Sequence, residues 1–142
     1  MSVGLVLVSH SHELVSGLRD MLCPIAGERV RVAVAGGAGD GSLGTDTIAI
    51  KDAVEAAGGE EGAVVLMDLG SAVMAAEAAL ELLGPAIAER VRLADAPIVE
   101  GAVAAAVEAG MEGASLETVM RAAEAARGVR KMAPPDDVAR RP

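Results

Sequence analysis

The chain contains no Phe, Tyr or Trp, and its apolar half is made of Ala, Val, Leu, Ile and Met. Without aromatic rings it cannot stack nucleic-acid bases or cage a quaternary ammonium. The core must be aliphatic, with alanine and 17 glycines allowing helices to approach a sheet closely. The single cysteine, Cys23, excludes an internal disulfide and a thiolate metal cluster, and suits a reducing compartment. Positive charge is also scarce: 12 Lys and Arg stand against 21 Asp and Glu, a formal net charge of −9. That balance argues against nucleic acid and anionic membranes as partners, and it is compatible with a basic protein. No uninterrupted apolar run reaches the roughly 18 residues of a membrane span, because Asp68, Glu77 and Glu81 divide the alanine-rich middle. The start lacks the basic region of a signal peptide. A soluble, cytoplasmic protein is expected.

What is present is an alternation of short apolar runs and helical patterns. Val3 to Ser9 is a run of β-branched and leucine residues that stops at Ser9-His10-Ser11-His12. A helix follows from His12 to Cys23, with Ser11 as N-cap and Leu14, Leu18, Met21 and Leu22 as its apolar face. Pro24 and Gly27 are expected to end it. Arg29 to Ala35 reads as an edge strand. The helix after it opens at Thr45 or Asp46, turns Ile48, Ile50, Ala53, Val54 and Ala57 inward, and stops at Gly58-Gly59. Gly62 to Asp68 is nearly all apolar, hence a strand buried on both faces. Ser71 is expected to cap a helix running to Leu83, broken by Gly84-Pro85. Arg90 to Asp95 forms a fourth strand, and helices follow over Ile98–Ala109 and from Ser115 to Ala126.

This order predicts an α/β fold: an open, doubly wound parallel sheet of about four strands in the order 2-1-3-4, with helices on both faces. Residues 1–131 form the domain, and 132–142 read as a flexible tail or truncated linker. The switch point then falls between strands one and three, where ligands bind in such sheets. Three loops meet there: Ser9 to His12, Gly39 to Thr45, and Asp68 to Ser71.

The residue types in those loops suit a phosphohistidine. A neutral imidazole is a competent nucleophile, and a carboxylate on one ring nitrogen fixes the tautomer that leaves the other free. Small residues and helix N-termini supply donors for the charge that a phosphoryl group carries. His10 is therefore the candidate nucleophile and Asp68 its orienting partner. Ser11, Gly41, Gly44, Thr45, Gly70 and Ser71 are the candidate phosphate-binding residues. Each serine or threonine has a plain alternative role as a cap, and Asp68 as a turn residue. His12 falls inside the helix, and two histidines without cysteine partners make a weak metal set, so no metal is expected. Gly39-Asp40-Gly41-Ser42-Leu43-Gly44 also fits the G-x-G-x-x-G pattern, although it follows the second strand, where the dinucleotide fingerprint normally follows the first.

Four segments carry a family likeness: Val6-Leu7-Val8-Ser9-His10-Ser11, Gly41-Ser42-Leu43-Gly44-Thr45, Val65 to Ala72, and Ala96-Pro97-Ile98-Val99-Glu100-Gly101-Ala102. Together they resemble the phosphotransferase subunits of PTS-dependent dihydroxyacetone kinases and, more broadly, the mannose-type enzyme IIA domain. The resemblance implies a phosphoryl relay on His10 Nε2, with Asp68 as its partner. The donor would be the phosphocarrier HPr, charged from phosphoenolpyruvate through enzyme I. The acceptor would be ADP on the subunit DhaL, which acts with DhaK on dihydroxyacetone. It implies a homodimer and no permanently bound cofactor, the phosphoryl group itself being carried on His10. An enzyme IIA domain of a mannose-family sugar transporter is the near alternative, and a non-catalytic dinucleotide- or small-ligand-binding module the distant one.

Overall fold

The computed structural model describes residues 2–134 of the chain. Four strands, β1 (Gly4–Ser9), β2 (Val32–Gly36), β3 (Ala63–Met67) and β4 (Val91–Leu93), form one sheet in the order β2-β1-β3-β4. Every pairing is parallel, as expected for short strands alternating with helices. The helices are α1 (His12–Ala26), α2 (Thr47–Ala57), α3 (Gly70–Leu82), α4 (Pro85–Ala88), α5 (Ile98–Ala109) and α6 (Leu116–Ala125), followed by a 3-10 turn at Ala126–Gly128. None of the described helices is long and apolar enough to cross a membrane.

Strands β1 and β3 are buried along their whole length, which is why their sequences run apolar without alternation. Two cores result. On one face Val3, just ahead of the first strand, Leu5 and Leu7 within it and Val64 and Leu66 of the third pack against α1, α5 and α6. On the other, Val6, Val8, Val65 and Met67 pack against α2 and α3. Alanine allows this closeness: Ala102, Ala105, Ala106 and Ala109 form the buried stripe of α5, and Ala72, Ala76 and Ala79 that of α3. Gly4 is a further requirement, since a Cβ there would lie 2.1 Å from the Ala57 carbonyl oxygen at the end of α2.

Several local expectations are corrected. Helix α1 passes through Pro24 and ends at Ala26, capped by Gly27 at φ 87°. A proline this near the C-terminus removes one intrahelical bond, while Leu22 and Ala26 remain buried beyond and beside it. The buried stripe of α1 is Val15, Leu18, Leu22 and Ala26, leaving Leu14 and Met21 exposed. Ile48 likewise points outward, whereas Ile50, Ala53, Val54 and Ala57 face the core. The fourth strand is only three residues long, and the single turn of α4 lies between Gly84 and it. Ser115 caps α6 through a reciprocal capping box with Thr118. Of the expected tail, residues 135–142 lie outside the described residues.

Candidate active site

The sheet order puts the ends of β1 and β3 side by side, and the two residues that follow them meet. His10 Nδ1 lies 3.0 Å from Asp68 Oδ1. The carboxylate is then gripped on all sides. Its Oδ2 accepts the His10 backbone N–H at 3.0 Å and the Ser9 hydroxyl at 2.8 Å, while Oδ1 also accepts the Leu69 N–H at 2.7 Å. Burial alone would raise the Asp68 carboxyl. The His10 amide, the Ser9 hydroxyl, the His10 ring and the Leu69 amide outweigh it and hold the group below its ordinary value of 3.8. At neutral pH the side chain is a carboxylate that can only accept. The nitrogen facing it must therefore donate, which in the neutral imidazole places the ring proton on Nδ1 and the lone pair on Nε2.

Nε2 faces Ser71, whose Oγ is in hydrogen-bond contact with it. With the lone pair on Nε2, the serine hydroxyl is the donor. Sequence reasoning gave Ser71 a capping role, and this is corrected. The N-cap of α3 is Leu69, which has no side-chain cap, and Ser71 sits in the first turn with its hydroxyl turned to the imidazole. The amides of Gly70 and Ser71 occupy the open first turn of α3, where backbone N–H groups lack intrahelical acceptors. The partial positive charge of that helix end is directed to the same place.

The other candidates sit nearby with different commitments. Ser11 is the N-cap of α1, accepting the Leu14 N–H at 3.2 Å, and its own N–H goes to Ser9 Oγ at 3.0 Å. Gly44 donates its N–H to the His10 carbonyl at 2.9 Å, so the glycine loop braces the backbone of the histidine. Gly41 donates to the Ala38 carbonyl at 3.0 Å. These two amides thus hold the loop together, and neither is directed at a phosphate. Thr45 is half-buried ahead of Asp46, and Asp46 is the cap of α2, accepting the Ile48 and Ala49 amides at 3.0 and 3.3 Å. A carboxylate therefore already fills the helix end that a dinucleotide pyrophosphate would need. His12 is exposed, with Nε2 3.2 Å from Ser16 Oγ within its own helix, and takes no part in the His10 cluster.

The site has two flanking hollows. One of about 520 Å³ runs between the start of α1 and the glycine loop, lined by Ser11, His12, Glu13, Ser42 and Leu43 among others. The other, about 340 Å³, is lined by Asp68, Leu69, Gly70, Val73 and the Ala94–Ala96 connection. No Lys or Arg occurs in residues 8–16, 36–46, 67–73 or 94–98, so these connections themselves offer an anion no side-chain cation; Arg127 reaches the edge through its 2.8 Å ion pair with Asp95. No group of three or more His, Cys, Asp or Glu side chains able to hold a metal occurs among the described residues. Sequence reasoning missed Ser9. Its signal was its place as the one polar residue closing an apolar strand that leads straight to the histidine.

The family model of the PTS system fructose IIA component, EIIA-man, matches residues 4–120. A Listeria innocua protein, the phosphoryl donor subunit DhaM of PEP-dependent dihydroxyacetone kinase 2, is 42% identical over 106 residues, covering 75% of this chain and 85% of that one. The DhaM subunits of Pantoea ananatis and Escherichia coli are 47% and 41% identical over 83% and 88% of this chain. The chain spans only 25% and 28% of their lengths. A crystal structure of a protein of unknown function superposes with a TM-score of 0.76 at 33% identity, covering 87% of this chain and 94% of the other.

Proposed function

The chain belongs to the EIIA-man family, with DhaM phosphoryl donor subunits among its relatives, and from that premise we propose that it carries a phosphoryl group on His10 for a PEP-dependent dihydroxyacetone kinase. The observation that carries this reading is the pairing of His10 Nδ1 with Asp68 Oδ1 at 3.0 Å, which leaves Nε2 as the outward lone pair. Residues 1–131 act as the phosphohistidine domain.

In the loading step, His10 Nε2 attacks the phosphorus of the phosphohistidine on HPr. A new N–P bond forms as the N–P bond of the donor breaks, and the donor imidazole departs with its electron pair. The His10 ring gains positive character, which Asp68 offsets across the Nδ1–H bond. Ser71 yields Nε2 and turns its hydroxyl to a phosphoryl oxygen, joined by the Gly70 and Ser71 amides. In the unloading step, a terminal phosphate oxygen of ADP held on DhaL attacks the same phosphorus. The P–Nε2 bond breaks and neutral imidazole returns, so that DhaL with DhaK can phosphorylate dihydroxyacetone. Asp68 thus lowers the cost of the positively charged ring in both steps without exchanging a proton. The work takes place in the cytoplasm on a homodimer, and the relay needs no permanently bound cofactor or metal.

The test is incubation with phosphoenolpyruvate, enzyme I and HPr. Acid-labile, base-stable phosphate is expected on the wild-type chain and on His12→Ala, and none on His10→Ala. Equal labelling of His10→Ala would overturn the assignment. Restoring dihydroxyacetone phosphorylation in a mixture with DhaK and DhaL tests the acceptor side, and labelled chain that DhaL–ADP cannot discharge would exclude the kinase branch.

A further inference from the structure

Ser9 is fully buried at the last position of β1. The β1–β3 register pairs Val8 with Met67, so one step further Ser9 stands opposite Asp68. Period-two alternation puts both on the face that Leu7 and Leu66 present to α1 and α5. A hydroxyl in that position costs about 1–3 kcal/mol to bury unless it is paired. It is paired twice, accepting the Ser11 N–H at 3.0 Å and contacting Asp68 Oδ2 at 2.8 Å. The sense of the second bond is forced, because a carboxylate cannot donate.

Counting acceptor sites shows what this does. A carboxylate offers about four lone-pair positions. At Asp68 they take Ser9 Oγ–H and His10 N–H on Oδ2, and Leu69 N–H and His10 Nδ1–H on Oδ1. The carboxylate cannot rotate without breaking this set. Without the Ser9 hydroxyl, Oδ2 keeps one donor, the Ser11 amide loses its acceptor, and the plane that aims Oδ1 at the imidazole is no longer fixed. We propose that Ser9 is a positioning residue for phosphoryl transfer, locking the Asp68 carboxylate so that His10 keeps its proton on Nδ1 and its lone pair on Nε2. This rests on His10 being the phosphorylated residue.

The titratable groups around Asp68 are His10, from the β1–α1 connection, and Asp95, which lines the same hollow from the β4–α5 connection; the first turn of α3 carries none. The experiment compares wild type with Ser9→Ala and with Ser9→Cys, whose thiol fills the same space but is a poor donor. Loss of such an outer partner is expected to lower kcat for transfer from phosphorylated HPr by about tenfold, with KM unchanged. The Asp68 side-chain carbon, followed by NMR, is expected to titrate at higher pH in both variants. An unshifted Asp68 titration overturns the proposal, as does a Ser9→Cys protein with wild-type kcat or a loss confined to KM. Because the titration is read without any phosphoryl donor, it decides the role of Ser9 even if His10→Ala were still labelled.

Discussion

Asp68 serves two purposes that a neutral amide cannot combine. It accepts four hydrogen bonds in a half-enclosed corner, and it faces the imidazole with negative charge. In Asp68→Asn, one end of the side chain becomes a donor: at the Oδ2 position it meets the His10 N–H, and at the Oδ1 position it meets the Leu69 N–H and the Nδ1–H. The first arrangement loosens the side chain, the second removes the acceptor that holds the Nδ1 tautomer, and both lose the negative charge beside the ring. Transfer onto His10 is expected to slow by on the order of 100-fold, measured as single-turnover labelling, with an unchanged circular dichroism spectrum. Unchanged rates would reduce Asp68 to a turn residue. The same bonds make a stability statement. The folded-state carboxyl titrates below its ordinary 3.8, so the unfolded chain binds the proton more readily. The stabilisation is fully present above that ordinary value and is lost as pH falls through the folded-state value. Denaturant midpoints of wild type and Asp68→Asn are therefore expected to differ most at neutral pH and to converge under acid. A gap that widened below pH 3.8 would contradict the hydrogen-bond account.

At the scale of elements, the start of α1 is held in place by an absence. Gly36 ends β2 beneath it, and a Cβ there would stand 2.5 Å from Val15 Cγ2, 2.7 Å from the Ser11 carbonyl oxygen and 2.8 Å from His12 Cα. Gly36→Ala must lift the first turn of α1 and with it the backbone next to His10. A loss of about 1–3 kcal/mol in denaturant unfolding is expected, together with slower labelling. Gly17, exposed within the same helix with nothing within 4 Å of its would-be Cβ, is the contrast. Gly17→Ala is expected to stabilise by about 0.5–1 kcal/mol in the same unfolding measurement and to leave labelling untouched. The two glycines look alike in the sequence, and only packing separates them. The same division runs through the fold. Strand order was legible because apolar runs ending in His10 and Asp68 announce buried parallel strands with their business ends together. The core face of α1 was not: Leu14 and Val15 both keep helical spacing with Leu18 and Leu22, and the position of the sheet decides between them. The four residues of α4 are too few to show any period. Ser71 read as a cap because the bond that recruits its hydroxyl comes from 61 residues away.

Across the whole molecule, the candidate site combines exposed apolar side chains with a lack of positive charge. Leu43 and Leu69 are 79% and 62% exposed on the two loops that flank His10, and Met74 is exposed one turn further along α3. Glu13 lines the hollow beside Leu43 and Asp95, paired with Arg127, the one beside Leu69, and the connecting loops contain no Lys or Arg. Such a surface attracts a partner that brings apolar contacts and its own cations, which would also supply the counter-charge that this chain withholds from the phosphoryl group. Dissociation of the product complex is easier when that charge leaves with the partner, a useful property in a carrier that must meet a donor and an acceptor in turn. Leu43 separates docking from chemistry, because its side chain is almost free of the fold while the adjacent Gly44 braces the His10 carbonyl. Leu43→Glu is expected to raise the KM for phosphorylated HPr several-fold, with kcat and thermal stability at wild-type values. Raising ionic strength from low to physiological is expected to lower kcat/KM for the wild-type pair, since charges more than about 8–10 Å apart are then screened. A change in kcat without a change in KM would place Leu43 in the chemistry. Transfer indifferent to both Leu43→Glu and salt would mean that the donor approaches from the α3 side, across Leu69 and Met74.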